Sequence, residues 1–217
     1  MRDRVIEKII SEKIIAIVRG YTLDQCIKLA SALCAGGVHM MEVTFPQEDR
    51  KGMEETAERI KALKKELGDR MEFGAGTVTS VEMVKMAHEA GASFIISPNT
   101  DESVIKATLE NDMVSVPGAF TPTEIKHAYD CGADFVKVFP VNMFGPKYIK
   151  TVRAPLSQVR LMAVGGVTEK DINDYFKAGA CSAGVAGCLF NKEWIENGNW
   201  NLITEAAEKL VKTVEQG

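Results

Sequence analysis

Short apolar runs alternate along this chain with longer stretches whose apolar residues recur at helical spacing. The runs fall at residues 14–19, 39–45, 71–77, 94–98, 113–118, 135–140, 160–165 and 182–187. Each is short, rich in β-branched and aromatic residues and bounded by turn formers, so each reads as a strand. Helices fill the gaps, and a further helix over residues 201–214 closes the chain. Another, near residues 3–11, carries Val5, Ile6, Ile9 and Ile10 on one face and precedes the first strand.

The ends of the helices are marked. Ala35-Gly36-Gly37, Ala90-Gly91, Cys131-Gly132 and Ala178-Gly179 each place glycine where a left-handed C-terminal cap is needed. Thr22–Gln25, Thr79–Glu82 and Thr121–Glu124 are capping-box patterns, the last with Pro122 at the first helical position. Strands alternating with helices at roughly 25 residues per unit predict a compact (β/α)8 TIM barrel with an extra N-terminal helix. A single domain over residues 1–217 is expected. The competitor is a doubly wound open sheet, but no GxGxxG follows the first strand.

Lys137 breaks the pattern. It lies in Phe135-Val136-Lys137-Val138-Phe139-Pro140, where alternation puts it on one face with Phe135 and Phe139. Burial disfavours an ammonium, and a neutral buried amine is a nucleophile suited to attack a carbonyl. The alternative is a lysine that snorkels to solvent or pairs structurally. Glu42, in Met40-Met41-Glu42-Val43-Thr44-Phe45, shares a face with Thr44. In a barrel the C-terminal strand ends carry the chemistry, so Glu42 and Lys137 would be general base and nucleophile in one mouth, or a structural ion pair. The same rule selects Arg19, Thr77, Pro98 and Phe139. It also selects Gly165-Gly166 and Gly187-Cys188, glycine turns at the place where barrels bind phosphate.

Composition narrows the partners. The 217 residues carry a formal charge of −4 with no basic cluster, which argues against nucleic acid and membrane surfaces. No apolar run approaches the ~18 residues of a membrane span, and the first residues lack a signal-peptide core, so a cytoplasmic protein is expected. Five cysteines without a CxxC pair read as reduced thiols. His39, His88 and His127 are scattered, and neither a metal nor a cofactor is expected.

Met41-Glu42-Val43-Thr44, Gly74-Ala75-Gly76-Thr77, Ile96-Ser97-Pro98, Val116-Pro117-Gly118, Phe135–Pro140 and Val164-Gly165-Gly166-Val167 together resemble the 2-keto-3-deoxy-6-phosphogluconate / 4-hydroxy-2-oxoglutarate aldolases. The resemblance spans essentially the whole chain. It implies a metal-independent class I aldolase, a homotrimer, acting on a phosphorylated keto sugar acid and releasing pyruvate. It further implies Lys137 as Schiff-base lysine, Glu42 as acid–base, and Thr77 as carboxylate ligand. Pro98 and Phe139 would line the pyruvyl pocket, Gly165-Gly166 would bind phosphate, and Arg19 would sit near the substrate carboxylate. The chain departs from that family in two places. Phe45-Pro46-Gln47 stands where the best-known members carry an arginine after E-V-T-x, and Cys188 replaces a phosphate-binding serine. A phosphosugar isomerase on the same barrel and a non-catalytic binder of phosphorylated keto acids are the alternatives.

Overall fold

The computed structural model describes residues 1–47 and 49–217. Eleven residues of α1 (Arg2–Glu12) lead into β1 (Ile14–Val18). There follow α2 (Leu23–Ala35), β2 (Met40–Thr44), α3 (Arg50–Leu67), β3 (Glu72–Gly76), α4 (Val81–Glu89), β4 (Phe94–Ile96) and α5 (Glu102–Glu110). Next come β5 (Val114–Val116), β6 (Gly118–Ala119), α6 (Pro122–Asp130), β7 (Val136–Val138), a 3-10 turn (Val141–Met143), α7 (Gly145–Arg153) and β8 (Leu161–Val164). The chain closes with α8 (Ile172–Lys177), β9 (Ser182–Val185), α9 (Lys192–Glu196) and α10 (Trp200–Glu215).

All the strand pairings are parallel, in the order β5-β4-β3-β2-β1-β9-β8-β7-β6. β5 and β6 are two halves of one barrel strand, parted at Pro117, whose missing N–H interrupts the ladder. The first half pairs with β4 and the second with β7. Backbone bonds from Phe135 N to Ser115 O (3.2 Å) and from Lys137 N to Pro117 O (2.9 Å) close the ring. The eight-unit barrel expected from the pattern is therefore the fold, with each strand one to three residues shorter than its apolar run.

Two apolar layers result. Outward strand residues such as Ala16, Val43, Ala75 and Val138 pack under the helices. Inward residues Ile15, Met40, Phe94, Val114, Phe135 and Met162 gather with Val5 and Ile9 of α1 in a separate inner core. The extra helix thus plugs the N-terminal end of the barrel. Arg2 ties it to Asp134 (2.6 Å) and Arg4 ties it to Glu72 (2.7 Å).

Helix caps follow the sequence in most places. Thr22 and Thr121 form their capping boxes with Gln25 and Glu124. Gly37, Gly91, Gly132 and Gly179 take positive φ. At α4 the cap is Ser80, one residue later than the pattern indicates, and it accepts from Met83 N. The expected box partner Glu82 is drawn to Arg50, while the Thr79 hydroxyl turns to Gln47. Long-range polar partners on α3 and after β2 outcompete the local cap. Among the described residues no helix is long and apolar enough to cross a membrane.

Candidate active site

A cavity of about 280 Å³ opens at the C-terminal end of the barrel, opposite the plug. Every residue singled out from strand ends lines it. Arg19 comes from the end of β1, Glu42 from β2 and Thr77 from just past β3. Pro98 follows β4, Lys137 lies in β7 with Phe139 after it, Gly165-Gly166 follow β8, and Gly187-Cys188 follow β9. Ile17, Val164, Val167, Thr168, Gly184 and Ala186 complete the wall. Alternation on short strands explains the apolar members, since Ile17 and Val164 are the inward neighbours of Ile15 and Met162.

Lys137 and Glu42 are 7 % and 2 % exposed. They form no direct ion pair with each other, which removes the simplest structural explanation for their burial. The Lys137 ammonium lies 4.7 Å from the Phe139 ring centroid, an attraction of modest size. Desolvation lowers the Lys137 pKa, the attraction of Glu42 opposes this, and repulsion from Arg19 adds to it, leaving the net shift downward. Glu42 moves the other way: burial raises its pKa, only partly countered by Lys137 and Arg19. Its Oε2 is buried without a hydrogen-bond partner. A buried carboxyl left unsatisfied is costly, and functional sites are where such costs persist.

Glu72 shows what a structural carboxyl looks like in the same barrel. It is also buried, at the plugged end, and its Oε2 likewise lacks a hydrogen bond, but Arg4 (2.7 Å) and Lys64 (3.8 Å) flank it. Burial pushes its pKa up, yet hydrogen bonds and the two cations outweigh this and hold it below the ordinary value. Two inward carboxyls on neighbouring strands thus have opposite shifts, Glu72 held in its charged form by two cations and Glu42 biased toward its protonated form by burial.

The space for Glu42 is made by Gly76 on β3, and that for the Phe94 ring by Gly74. Glu42 stands in register with Gly74, with Gly76 two residues further along the same face. A Cβ on Gly74 would lie 2.2 Å from the Phe94 ring, and one on Gly76 would lie 1.6 Å from Glu42 Oε1. Nothing local to β3 announces these requirements, and sequence reasoning missed them. Gly76→Ala is expected to displace the Glu42 carboxyl and lower kcat by about 100-fold, the scale of one general acid–base group. Lys137 would remain able to form an adduct with a carbonyl compound, so steady-state rates and reductive trapping together check the prediction.

Thr77 is unusual in another way. It is β-branched yet has φ of 57°, a conformation that costs about 1–3 kcal/mol and is retained where surroundings enforce it. Its Oγ1 accepts from Arg19 Nη2 at 3.0 Å, so hydroxyl and guanidinium are presented together at the cavity wall. Arg19 itself is exposed at the rim. At the opposite wall, Gly165 and Gly166 both have positive φ, and a Cβ on Gly187 would meet nothing within 4 Å. The backbone at Gly187 is open to a ligand, whereas a Cβ on Gly165 or Gly166 would meet Phe139 or Asn142. The half-buried Cys188 thiol is pushed up by burial and stays protonated, a weak donor.

The chemistry this arrangement offers is a nucleophilic amine, a proton-carrying carboxyl beside it, an anion-binding corner at Arg19 and Thr77, and glycine turns opposite. Comparison with known proteins agrees with it. The family model for KDPG and KHG aldolase matches residues 5–206. The chain is 34 % identical to the 2-dehydro-3-deoxy-6-phosphogalactonate aldolase of Escherichia coli K12 over 180 residues, covering 82 % of this chain and 84 % of that protein. It is 33 % identical to the KHG/KDPG aldolase of the same organism over 193 residues, covering 88 % and 86 %. Among solved structures, KDPG aldolase from Legionella pneumophila, with pyruvate captured as a covalent carbinolamine intermediate, superposes with a TM-score of 0.80 at 27 % identity, over 91 % of this chain and 93 % of that one. Matched over nearly its whole length by the family model and by these relatives, the chain belongs to the KDPG and KHG aldolase family and is a lyase.

Proposed function

We propose that the protein is a class I aldolase that cleaves a 2-keto-3-deoxy-6-phospho sugar acid to pyruvate and glyceraldehyde 3-phosphate, and that it also splits 4-hydroxy-2-oxoglutarate to pyruvate and glyoxylate. The observation that carries this reading is the buried Lys137, its charged form destabilised, in one cavity with an unpaired Glu42.

The neutral Lys137 amine attacks the C2 ketone, and the carbinolamine hydroxyl takes up a proton and leaves as water to give an iminium, a proton that the final hydrolysis releases again. Glu42, as carboxylate, takes the proton of the C4 hydroxyl. The C3–C4 electron pair then flows into the iminium, leaving an enamine and free aldehyde. The protonated Glu42 returns its proton to C3, and water releases pyruvate and restores the amine. Arg19 and Thr77 hold the C1 carboxylate and so fix the scissile bond against the iminium plane. Pro98 and Phe139 shield the imine from bulk water. Gly165, Gly166, Gly187 and Cys188 receive the phosphate through backbone N–H groups, the cysteine thiol adding little. The iminium is the electron sink, so the reaction asks for no cofactor and no metal.

We place the enzyme in the cytoplasm, in keeping with its free cysteines, and propose a homotrimer. Phe120, Phe144 and Tyr148 stack on one another with centroids 5.2–5.7 Å apart, beside Met143. Met143 and Phe144 are 67 % and 62 % exposed, an apolar patch of the kind that marks contact with another chain. Sedimentation equilibrium should give three times the 23.7 kDa chain mass, and Phe144→Asp should shift the distribution toward smaller species.

Substrate identity is tested by coupling pyruvate release to a dehydrogenase. The gluconate and galactonate epimers, each with and without the 6-phosphate, are compared with 4-hydroxy-2-oxoglutarate. Release from the phosphorylated acids at the highest kcat/KM supports the reading. Turnover confined to unphosphorylated substrates would overturn the phosphate assignment while leaving the aldolase in place.

A further inference from the structure

The turn after β3 adopts a shape that Thr77 resists, and its surroundings impose it from two sides. Ser97 Oγ donates to Val78 O at 2.6 Å. From the other side, Gln47 Nε2 donates to Thr77 O at 2.8 Å and, more weakly, to Phe45 O at 3.4 Å. The orientation of the Gln47 amide is fixed by its partners, because the Thr79 hydroxyl donates to Gln47 Oε1 at 2.6 Å. Reversing the amide would set its oxygen against two carbonyl oxygens. A side chain three residues past β2 therefore bridges the ends of two neighbouring barrel strands.

We propose that Gln47 is a positioning residue for recognition of the substrate carboxylate. By holding the Thr77 carbonyl it keeps that residue left-handed, and so keeps Thr77 Oγ1 against Arg19 and at the cavity wall. A strained backbone conformation persists only while its neighbours over-determine it. Releasing the Gln47 contacts lets the turn relax toward an ordinary φ and swings the hydroxyl out of the corner. Gln47 touches neither Lys137 nor Glu42 among the described hydrogen bonds, so carbonyl attack itself is left intact. The inference rests on the reading that Thr77 and Arg19 bind the C1 carboxylate.

The test compares pyruvate with acetone, the same ketone with a methyl group in place of the carboxylate. Each is trapped on the enzyme by cyanoborohydride at subsaturating concentration, and the adduct is followed by intact mass. Gln47→Ala is expected to slow trapping of pyruvate about tenfold, the scale of one or two lost hydrogen bonds, with acetone trapping within twofold of the parent. Gln47→Glu should be at least as damaging to pyruvate, since a carboxylate would face the two carbonyl oxygens. Thr79→Val should move the same ratio in the same direction by a smaller factor. Equal slowing of both ketones, or no slowing of pyruvate, would overturn the proposal. Thr77→Ala separates the two levels. If it loses pyruvate selectively and Gln47→Ala does not, the role of Gln47 has failed. If Thr77→Ala also treats both ketones alike, the carboxylate reading beneath it has failed.

Discussion

Lys137→Met is expected to abolish the pyruvate adduct and to lower kcat by on the order of 10⁴ or more, because the residual rate then depends on binding alone. In the parent enzyme, borohydride with pyruvate should give a stable adduct that peptide mass spectrometry maps to Lys137. The Lys137 pKa is depressed chiefly by burial, with Arg19 adding to the shift, so the amine becomes free at lower pH than an ordinary lysine. The trapping rate should therefore rise with pH through a midpoint below the usual lysine range. Arg19→Gln removes one of the two influences that lower the pKa, and should move that midpoint upward. An adduct mapped to another lysine would remove Lys137 from the mechanism, and a midpoint at the ordinary lysine value would mean that burial does not depress its pKa.

Glu42→Gln is expected to lower cleavage by 10²–10⁴-fold, the range of one general acid–base group, while the pyruvate adduct still forms. The same substitution should stabilise the fold. Glu42 titrates above the ordinary carboxylate value because burial disfavours its charge. Between the unfolded and folded pKa values the native state holds the extra proton, so stability falls as pH rises through that window. Above it the protein carries the whole cost of a buried charge with an unpartnered oxygen. A neutral amide removes that cost, about 1–3 kcal/mol, equivalent to roughly 2–12 °C in Tm for a chain of this size. Calorimetry on both proteins should show the variant ahead at neutral pH, with the gap closing below the window. Equal melting at all pH values would mean that Glu42 is satisfied in the native state.

Much of this could be read from single residues. The alternation of short apolar runs with capped helices gave the barrel, because the strand and helix periods are distinct and the punctuation is local. Lys137 was conspicuous because it interrupts an otherwise apolar strand, and Glu42 because it lies inward at a strand end. Other features were hidden because their causes are non-local. The inner helix α1 advertises an apolar stripe, but not that the stripe closes a barrel. Pro117 was visible, yet its division of one strand into β5 and β6 depends on which neighbours each half pairs with. The Thr79 capping pattern failed for a similar reason, its hydroxyl being claimed by Gln47 from another strand end. Gly76 carries no mark of its role in the sequence around it. Its reason for being glycine is a carboxyl contributed by β2.

The plugged end of the barrel has a kinetic consequence. With Val5 and Ile9 seated among the inward residues at the bottom, the cavity has one mouth, and traffic through it has an order. In the proposed reaction pyruvate is tethered to the wall as an enamine and leaves last, whereas the aldehyde, bound by nothing covalent, leaves first. Until C3 is protonated, the cleft is a nucleophile awaiting a partner, and any aldehyde that enters in that interval is joined to it. Supplied with pyruvate and excess aldehyde, the enzyme therefore becomes a catalyst for making carbon–carbon bonds. Its direction is decided by which molecule next comes through the single opening.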